Sequence, residues 1–179
     1  MDIGGARYAA AGGVHAVPVA DVAGTLILCG LDVVGPDPDG FLDAVEGDLI
    51  VCLQTALEIE RRYPEYGIWL RGDGSERSIH LPTEDHMVTD DDAVADLVLD
   101  IHARLRNGAR VAVHCGAGWG RAGVIAVLVM CAAGAEIDPA LRDLRLARPA
   151  AGPQSAAQDL QVDRLAPRVR AAVTPRRNG

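Results

Sequence analysis

One stretch restricts the fold of this chain more than any other. Residues 110–134 read RVAVHCGAGWGRAGVIAVLVMCAAG. A short apolar run typical of a buried strand leads into a glycine-rich loop and then into an apolar run with the length of a buried helix. That last run, residues 122–135, has 14 residues and is too short to span a bilayer. The stretch predicts a strand–loop–helix unit, with the loop at the carboxyl end of the strand, where open α/β sheets bind their ligands.

Strand and helix patterns alternate along the rest of the chain. Strands are predicted at residues 14–19, 25–30, 48–53, 67–72, 78–82 and 110–113. Helices are predicted at residues 41–47, 54–66 with an end at Pro64, 90–107, 122–134, 138–147 and 153–167. This order, without repeats or a linker, predicts a single α/β domain in which helices flank a central, mostly parallel sheet.

The boundaries of the domain follow from composition. Residues 1–13 are small and irregular, and residues 169–179 follow the last predicted helix as a terminal tail, so both ends are expected to be flexible. The folded domain is expected to comprise residues 14–168.

Charge excludes several classes of partner. The 179 residues carry a formal net charge of −8, and all 17 basic residues are arginines. Nucleic acid and anionic membrane surfaces are therefore poor partners for the chain as a whole. An anionic ligand would need a local site that works against the overall field.

The cysteines and the N-terminus indicate the compartment. The four cysteines form no C-x-x-C pair and no His/Cys spacing suited to zinc, so we expect free thiols in a reducing compartment and no metal. The N-terminus lacks the basic and apolar regions of a signal peptide, which favours a cytoplasmic protein. Abundant Ala, Gly and Asp with arginine as the sole strong base indicate a GC-rich bacterial genome.

Three interpretations of the glycine loop compete. A cysteine and an arginine six positions apart arise readily by chance in an arginine-rich chain, so the bare spacing is a weak signal. Gly118, Gly120 and Gly123 match the G-x-G-x-x-G nucleotide pattern, but no further strand with an acidic end follows. A Walker loop needs a lysine, and the chain has none.

The third interpretation accounts for every position of the loop. A loop that curls into a helix N-terminus points several N–H groups at one place, and the helix dipole adds partial positive charge. Gly116, Gly118 and Gly120 let the backbone approach a tetrahedral anion closely. Arg121 can bind two of its oxygens, and Cys115 lies at the base in a field that favours the thiolate. A thiolate beneath a bound phosphate is a nucleophile in line for attack.

The stretch HCGAGWGRAG resembles the signature of the cysteine-dependent protein-tyrosine and dual-specificity phosphatases, His-Cys-x5-Arg between a strand and a helix. The similarity extends from about residue 25 to residue 166. It implies that Cys115 is the nucleophile, that Arg121 clamps the phosphoryl group and that His114 helps to set the thiolate. It also implies a substrate-binding loop made of Gly116, Ala117, Gly118, Trp119, Gly120 and Arg121.

A general acid is expected on a separate segment, because the leaving oxygen of a phosphate ester must be protonated. Asp85 in LPTEDHMV lies 30 residues before Cys115, as the family acid does, and Glu-Asp-His resembles the acid loop of the lipid-phosphatase branch. Two alternatives stay open. The segment is a solvated acidic turn, or the acid is one of residues 90–92.

Further residues follow from the resemblance. ARPAAGPQSAAQDL resembles the family element whose glutamines position the hydrolytic water, which assigns that role to Gln154 and Gln158. The family has Ser or Thr where this chain has Ala122, and loss of that hydroxyl puts turnover in doubt. Lipid phosphatases of the family pair the catalytic cysteine with one on a neighbouring strand, so Cys52 could form a redox bridge with Cys115.

The expected function is a cysteine-based phosphomonoesterase that needs no metal or cofactor. Its substrate would be a phosphotyrosine protein or a small phosphomonoester, with Trp119 stacking on an aryl group. One alternative is a weak or inactive module that only binds phosphate. The other is a phosphoinositide phosphatase, which Glu-Asp-His favours and the uncharged Ala117 and Trp119 disfavour.

Overall fold

A five-stranded sheet forms the centre of the computed structural model, which describes residue 3 and residues 5–173. The strands are β1 (His15–Val17), β2 (Thr25–Gly30), β3 (Leu49–Cys52), β4 (Ser78–His80) and β5 (Arg110–Cys115). They lie in the order β1-β2-β5-β3-β4. The edge strand β1 is antiparallel to β2, and the other neighbours are parallel. The predicted α/β domain with a mostly parallel sheet is confirmed.

The register of the central strands places the glycine loop at one edge of the sheet. Cys115 ends β5 opposite Gly30 of β2, and His114 lies opposite Cys52 of β3. Because the strands are parallel, the segments that follow β2, β3 and β5 all leave from this edge. Chain segments that are far apart in the sequence therefore meet around the loop after Cys115.

Nine α-helices are present in the described part of the chain. They are α1 (Gly5–Tyr8), α2 (Leu31–Val34), α3 (Pro38–Val45), α4 (Ala56–Arg62), α5 (Pro64–Arg71), α6 (Asp91–Arg106), α7 (Gly120–Ala132), α8 (Ile137–Ala147) and α9 (Ala156–Val173). Buried apolar side chains of these helices form two clusters. One cluster contains residues of α6, α7 and α9, and the other contains residues of α2, α3 and α5. The sheet contributes residues to both clusters, so it lies between two helical layers.

Helix α7 is the best-buried element. Its residues from Arg121 to Ala132 are all buried, as expected for the apolar run that the sequence places after the glycine loop. Gly123 explains part of this packing, because a Cβ there would lie 2.2 Å from the backbone nitrogen of Gly152. The segment before α9 therefore rests directly on the first turn of α7.

One predicted strand is wrong. Residues 67–72 were expected to be extended, but most of them belong to helix α5, which begins at Pro64. Proline has no N–H to donate, so it cannot continue the helix before it. The first position of a helix needs no such donor, so Pro64 can start the next helix. Tyr66 and Leu70 are buried at a spacing of four residues, which suits a helix, while Ile68 is exposed.

Helical structure also occurs on both sides of residues 14–168. Residues 5–11 form α1 and a short 3-10 turn, and α9 continues past Pro167 to Val173, with Val169 buried. Residues 1, 2, 4 and 174–179, which are part of the two expected flexible ends, lie outside the described residues. No helix among those described combines the length and the apolar character needed to cross a membrane.

Candidate active site

The loop between β5 and α7 has the shape that its glycines predict. Gly118 has φ of 72°, and a Cβ there would lie 2.1 Å from the carbonyl oxygen of Cys29, so only glycine is accommodated. At the start of the loop, the N–H of Leu31 donates to the carbonyl of Gly116 over 2.9 Å. The loop is thus fastened to the end of β2.

Arg148 supports the loop from one side. This arginine is 2% exposed, and its guanidinium donates to the carbonyl oxygens of Ala117 at 2.7 Å and Gly118 at 2.9 Å. In a trans peptide the N–H points away from the carbonyl of the same unit. The N–H groups of Gly118 and Trp119 are therefore directed away from Arg148, which leaves them available to an anion.

An open pocket of about 580 Å³ lies over the loop. It brings together most of the residues predicted from the sequence: Asp85, Cys115, Gly116, Ala117, Trp119, Gly120, Arg121, Gln154 and Gln158. Cys115 is buried at its base, and Trp119, which is 43% exposed, forms part of its wall. His114 is fully buried and does not line the pocket.

Arg121 has a buried guanidinium group with several fixed contacts. Its Nη1 donates to Oε2 of Glu58 at 2.9 Å and to the carbonyl of Thr83 at 2.7 Å, and its Nη2 donates to Oε1 of Glu58 at 2.9 Å. Asp85 Oδ1 lies 3.2 Å from the same Nη2. Nε is buried and has no hydrogen bond to the described residues. This orphaned donor is suited to an anion above the loop.

Glu58 is a site residue that the sequence analysis missed. It lies at the third position of α4 and forms a capping box with Thr55, whose backbone N–H donates to Glu58 Oε2 at 2.8 Å. Burial by itself would raise the pKa of Glu58, but the hydrogen bonds from Arg121 and Thr55 outweigh burial and lower the pKa to about 2. The sequence TALE after a strand was the available signal for this cap.

His114 contacts the backbone of Cys115. Burial lowers the pKa of His114 to about 4, so its ring is neutral near pH 7. Nε2 lies 2.7 Å from the Tyr66 hydroxyl, and Nδ1 lies 3.3 Å from the carbonyl of Cys115. The consistent tautomer has Nδ1–H donating to Cys115 and Nε2 accepting from Tyr66. Sequence reasoning missed Tyr66, which fixes this ring.

Asp85 is the acidic residue of its segment that faces the pocket. Its side chain is 67% exposed and lies beside Arg121. The alternatives at residues 90–92 have other partners. Asp90 caps α6 by accepting from the N–H of Ala93, Asp91 pairs with Arg164, and Asp92 pairs with Arg168. None of these three lines the pocket.

The two predicted glutamines differ in their surroundings. Gln154 is exposed at the pocket, and its Nε2 donates to the carbonyl of Ala150. Gln158 is buried, its Oε1 accepts from the N–H of Gln154 at 2.9 Å, and its Nε2 donates to the carbonyl of Met87 at 3.2 Å. The Gln158 amide is thus engaged with the protein at both ends.

Ala122 and Cys52, the two remaining residues singled out in the sequence, are both buried. Ala122 is fully buried on the first turn of α7 and offers no hydroxyl. Burial raises the pKa of Cys52 to about 12, which keeps its thiol protonated. A bridge from Cys52 to Cys115 stays a prediction.

Helix α4 adds positive charge that the sequence analysis did not anticipate. Arg61 and Arg62 both line the pocket. Arg62 is paired with Asp32 at 2.6 Å, whereas Arg61 has no ion pair or hydrogen bond among the described residues. Glu58 and Arg61 are three positions apart on a helix and share a face, so Arg61 lies one turn from the residue that holds Arg121.

Across the described residues, no group of three or more His, Cys, Asp or Glu side chains could hold a metal ion.

The Glu58–Arg121 pair predicts a pH-dependent stability difference. The Glu58 pKa lies below its usual value, so the pair stabilises the fold fully above about pH 4.5, and this contribution is lost as the pH falls toward 2. We expect Glu58→Gln to unfold about 1–2 kcal/mol more easily at pH 7, less than for a fully buried pair because the Glu58 side chain is 29% exposed. Urea unfolding at several pH values measures the difference. A gap between wild type and variant that does not narrow from pH 5 to pH 2 would contradict the assignment.

Comparison with known proteins agrees with this geometry. A family model described as "Swiss Army Knife protein, DSP-PTPase phosphatase domain" matches residues 40–170. A search of curated proteins found no match.

Solved structures share the fold. Kinase-associated phosphatase, with its catalytic cysteine changed to serine, has a TM-score of 0.73 at 19% identity over 88% of this chain and 96% of that one. Tk-PTP in its active form has a TM-score of 0.62 at 22% identity over 86% and 97%. PTPMT1 in complex with PI(5)P has a TM-score of 0.65 at 15% identity over 83% and 94%. The resemblance in the HCGAGWGRAG signature is thus confirmed, and the chain belongs to the cysteine-dependent protein-tyrosine and dual-specificity phosphatase family.

Proposed function

We propose that this protein hydrolyses phosphate monoesters through a phosphocysteine intermediate and acts on phosphotyrosine proteins or small aryl phosphates. The observation that carries the proposal is the buried Nε of Arg121, which has no hydrogen-bond partner among the described residues although Arg121 lines the same pocket as Cys115. A buried cationic donor without an acceptor is costly unless an anion binds there.

In the first step the Cys115 thiolate attacks phosphorus and the ester P–O bond breaks. Arg121 and the loop N–H groups stabilise the charge that spreads over the phosphoryl oxygens. Asp85, protonated at this stage, gives its proton to the leaving oxygen. The products of the step are an alcohol or phenol, a phosphorylated Cys115 and an ionised Asp85.

In the second step water attacks the phosphocysteine. Asp85 accepts a proton from this water, the S–P bond breaks, and the electron pair returns to Cys115 as the thiolate. Gln154 is the better placed of the two glutamines to orient the water, because its side chain is exposed at the pocket while the Gln158 amide is engaged. Inorganic phosphate then leaves, and Asp85 is again protonated.

Trp119 supports aryl substrates. Its exposed ring forms part of the pocket wall beside the loop, where it can contact the ring of a phosphorylated tyrosine.

The proposal predicts distinct effects of two substitutions on p-nitrophenyl phosphate and phenyl phosphate hydrolysis. Cys115→Ser should abolish hydrolysis, because a hydroxyl at this position is not ionised near neutral pH. Asp85→Asn should lower kcat/KM for phenyl phosphate by about 100-fold and remove the alkaline limb of its pH profile, because the leaving phenol loses its proton donor.

The matched control is Asp92→Asn, which removes a nearby carboxylate that pairs with Arg168 outside the pocket. It should keep the wild-type pH profile. Hydrolysis that persists in Cys115→Ser, or an alkaline limb lost in Asp92→Asn and kept in Asp85→Asn, would contradict the assignment.

Ala122 predicts a slow second step. A hydroxyl at this position would donate to the departing thiolate, a charge-assisted bond of about 1.5–3 kcal/mol. Without it, hydrolysis of the phosphocysteine should be slower by roughly 10–100-fold, since each 1.36 kcal/mol changes a rate tenfold. Wild type should therefore show a burst of p-nitrophenol in stopped flow, and Ala122→Ser should raise kcat and shrink the burst. A module that only binds phosphate would show neither burst nor turnover.

A phosphoinositide phosphatase is the second candidate, and Arg61 is the observation that favours it. The uncharged Ala117 and Trp119 argue against a highly charged head group, but Arg61 and Arg62 bring two guanidinium groups to the pocket from α4. One of the similar folds, PTPMT1, is seen with PI(5)P. An inositol ring with a second phosphate could place that phosphate near Arg61.

A substrate panel separates the two candidates. If inositol phosphates are the substrates, Arg61→Ala should raise KM for inositol bisphosphates at least about tenfold, because a charge-assisted contact is lost. It should leave KM for phenyl phosphate within about twofold. Arg71→Ala, an exposed arginine outside this pocket, is the control. Higher kcat/KM for phosphotyrosine peptides than for inositol phosphates would favour the first candidate.

A further inference from the structure

The segment that carries Asp85 is fastened to helix α9 by three side chains. Residues 81–90, here called the acid loop, contain neither helix nor strand. Ser155 Oγ donates to the carbonyl of His86 at 2.7 Å. Gln158 Nε2 donates to the carbonyl of Met87 at 3.2 Å, and Gln161 Nε2 donates to the carbonyl of Thr89 at 2.8 Å. These three donors are called the clamp.

The clamp follows from helical geometry. Its members are spaced by three residues, so they lie on one face of α9 and its N-cap, and they donate to the carbonyls of residues 86, 87 and 89 of the acid loop. Gln158 and Gln161 are 1% and 3% exposed, so their hydrogen bonds are shielded from water. Loop carbonyls without strand partners need such donors, because a buried backbone oxygen left unpaired is costly.

The clamp acts next to the general acid. His86, which has φ of 59°, lies between Asp85 and Met87, and its own N–H donates to Asp85 Oδ1 at 3.1 Å. A left-handed backbone at a non-glycine residue is held only where the surroundings determine it. The bond from Ser155 to the His86 carbonyl therefore restrains the residue that orients Asp85.

The first part of the acid loop is fixed by backbone hydrogen bonds at Thr83. The N–H of Thr83 donates to the carbonyl of Leu53 at 3.0 Å, and the Thr83 carbonyl accepts from Arg121 at 2.7 Å. Asp85 thus lies between two fixed points, one at Thr83 and one at the clamp.

We propose that the clamp is a positioning device for the general acid. It holds the acid loop over the pocket before substrate binds, so that proton transfer from Asp85 needs no separate closing motion. Ser155, Gln158 and Gln161 are positioning residues that act through Asp85. The proposal rests on the proposed function, since Asp85 must be the proton donor.

The experiment compares a poor and a good leaving group. Ser155→Ala and Gln161→Met remove one donor each from opposite ends of the clamp. Each should lower kcat/KM for phenyl phosphate about tenfold, a fraction of the 100-fold or more that general acid catalysis contributes. The fall for p-nitrophenyl phosphate, whose phenolate leaves readily without a proton, should be less than about twofold.

Two controls separate positioning from plain stability. Ser155 also caps α9 by accepting from the N–H of Gln158 at 3.3 Å, and Ser155→Thr, which keeps both the acceptor and the donor, should restore the wild-type ratio of the two rates. Arg168→Ala, on the same helix as the clamp, breaks the pair with Asp92 of α6 and leaves the hydrogen bonds of the clamp in place, so it should also keep that ratio.

A double-mutant cycle gives the decisive result. In an Asp85→Asn background, Ser155→Ala and Gln161→Met should cause no further fall with phenyl phosphate, because the group they position has lost its proton. Additive falls, or equal falls for both substrates, would overturn the clamp while Asp85 keeps its role. If Asp85→Asn alone leaves phenyl phosphate hydrolysis unchanged, Asp85 is not the acid, and that result overturns the clamp as well. Urea unfolding of each variant shows which rates come from folded protein.

Discussion

The arrangement of the pocket depends on one buried cation. Arg121 is 4% exposed, and a guanidinium in the interior is tolerated only when its charge and its donors are satisfied. Glu58 supplies the charge and Thr83 supplies a carbonyl, each from a different segment of the chain. Helix α4, the acid loop and the first turn of α7 are thereby fixed around the same group, and Nε is the donor left over.

A second buried arginine, Arg148, fixes the orientation of the same loop. Arg148 donates hydrogen bonds to the carbonyl oxygens of Ala117 and Gly118. The N–H groups of the same two peptide units therefore point away from Arg148. This is how a chain with a net charge of −8 can offer an anion site. The positive potential is local, built from backbone N–H groups, a helix N-terminus and Arg121, and it does not depend on the charge of the whole molecule.

Local patterns in the sequence were sufficient for the strand, loop and helix around Cys115, because periodicity and glycine placement are read within a few residues. The assignment of Asp85 came from the family resemblance, which expects an acid about 30 residues before the cysteine, because local patterns alone left residues 90–92 open as alternatives. Glu58 and Tyr66 were not predicted as site residues, because their partners Arg121 and His114 lie 63 and 48 positions away. No local pattern encodes such pairings. The wrong strand prediction at residues 67–72 has a local cause. A proline can end one helix and also start the next, and Pro64 is the first residue of α5.

Chemical identification of the intermediate is the sharpest test of catalysis through a phosphocysteine. Wild-type protein would be mixed with p-nitrophenyl phosphate, quenched with acid during the first turnovers, digested, and mapped by mass spectrometry. We expect a phosphoryl group on the peptide that contains Cys115. Its amount should equal the amount of p-nitrophenol released before the steady state. Release of phenol with no phosphate on Cys115, or with phosphate on a different residue, would contradict it.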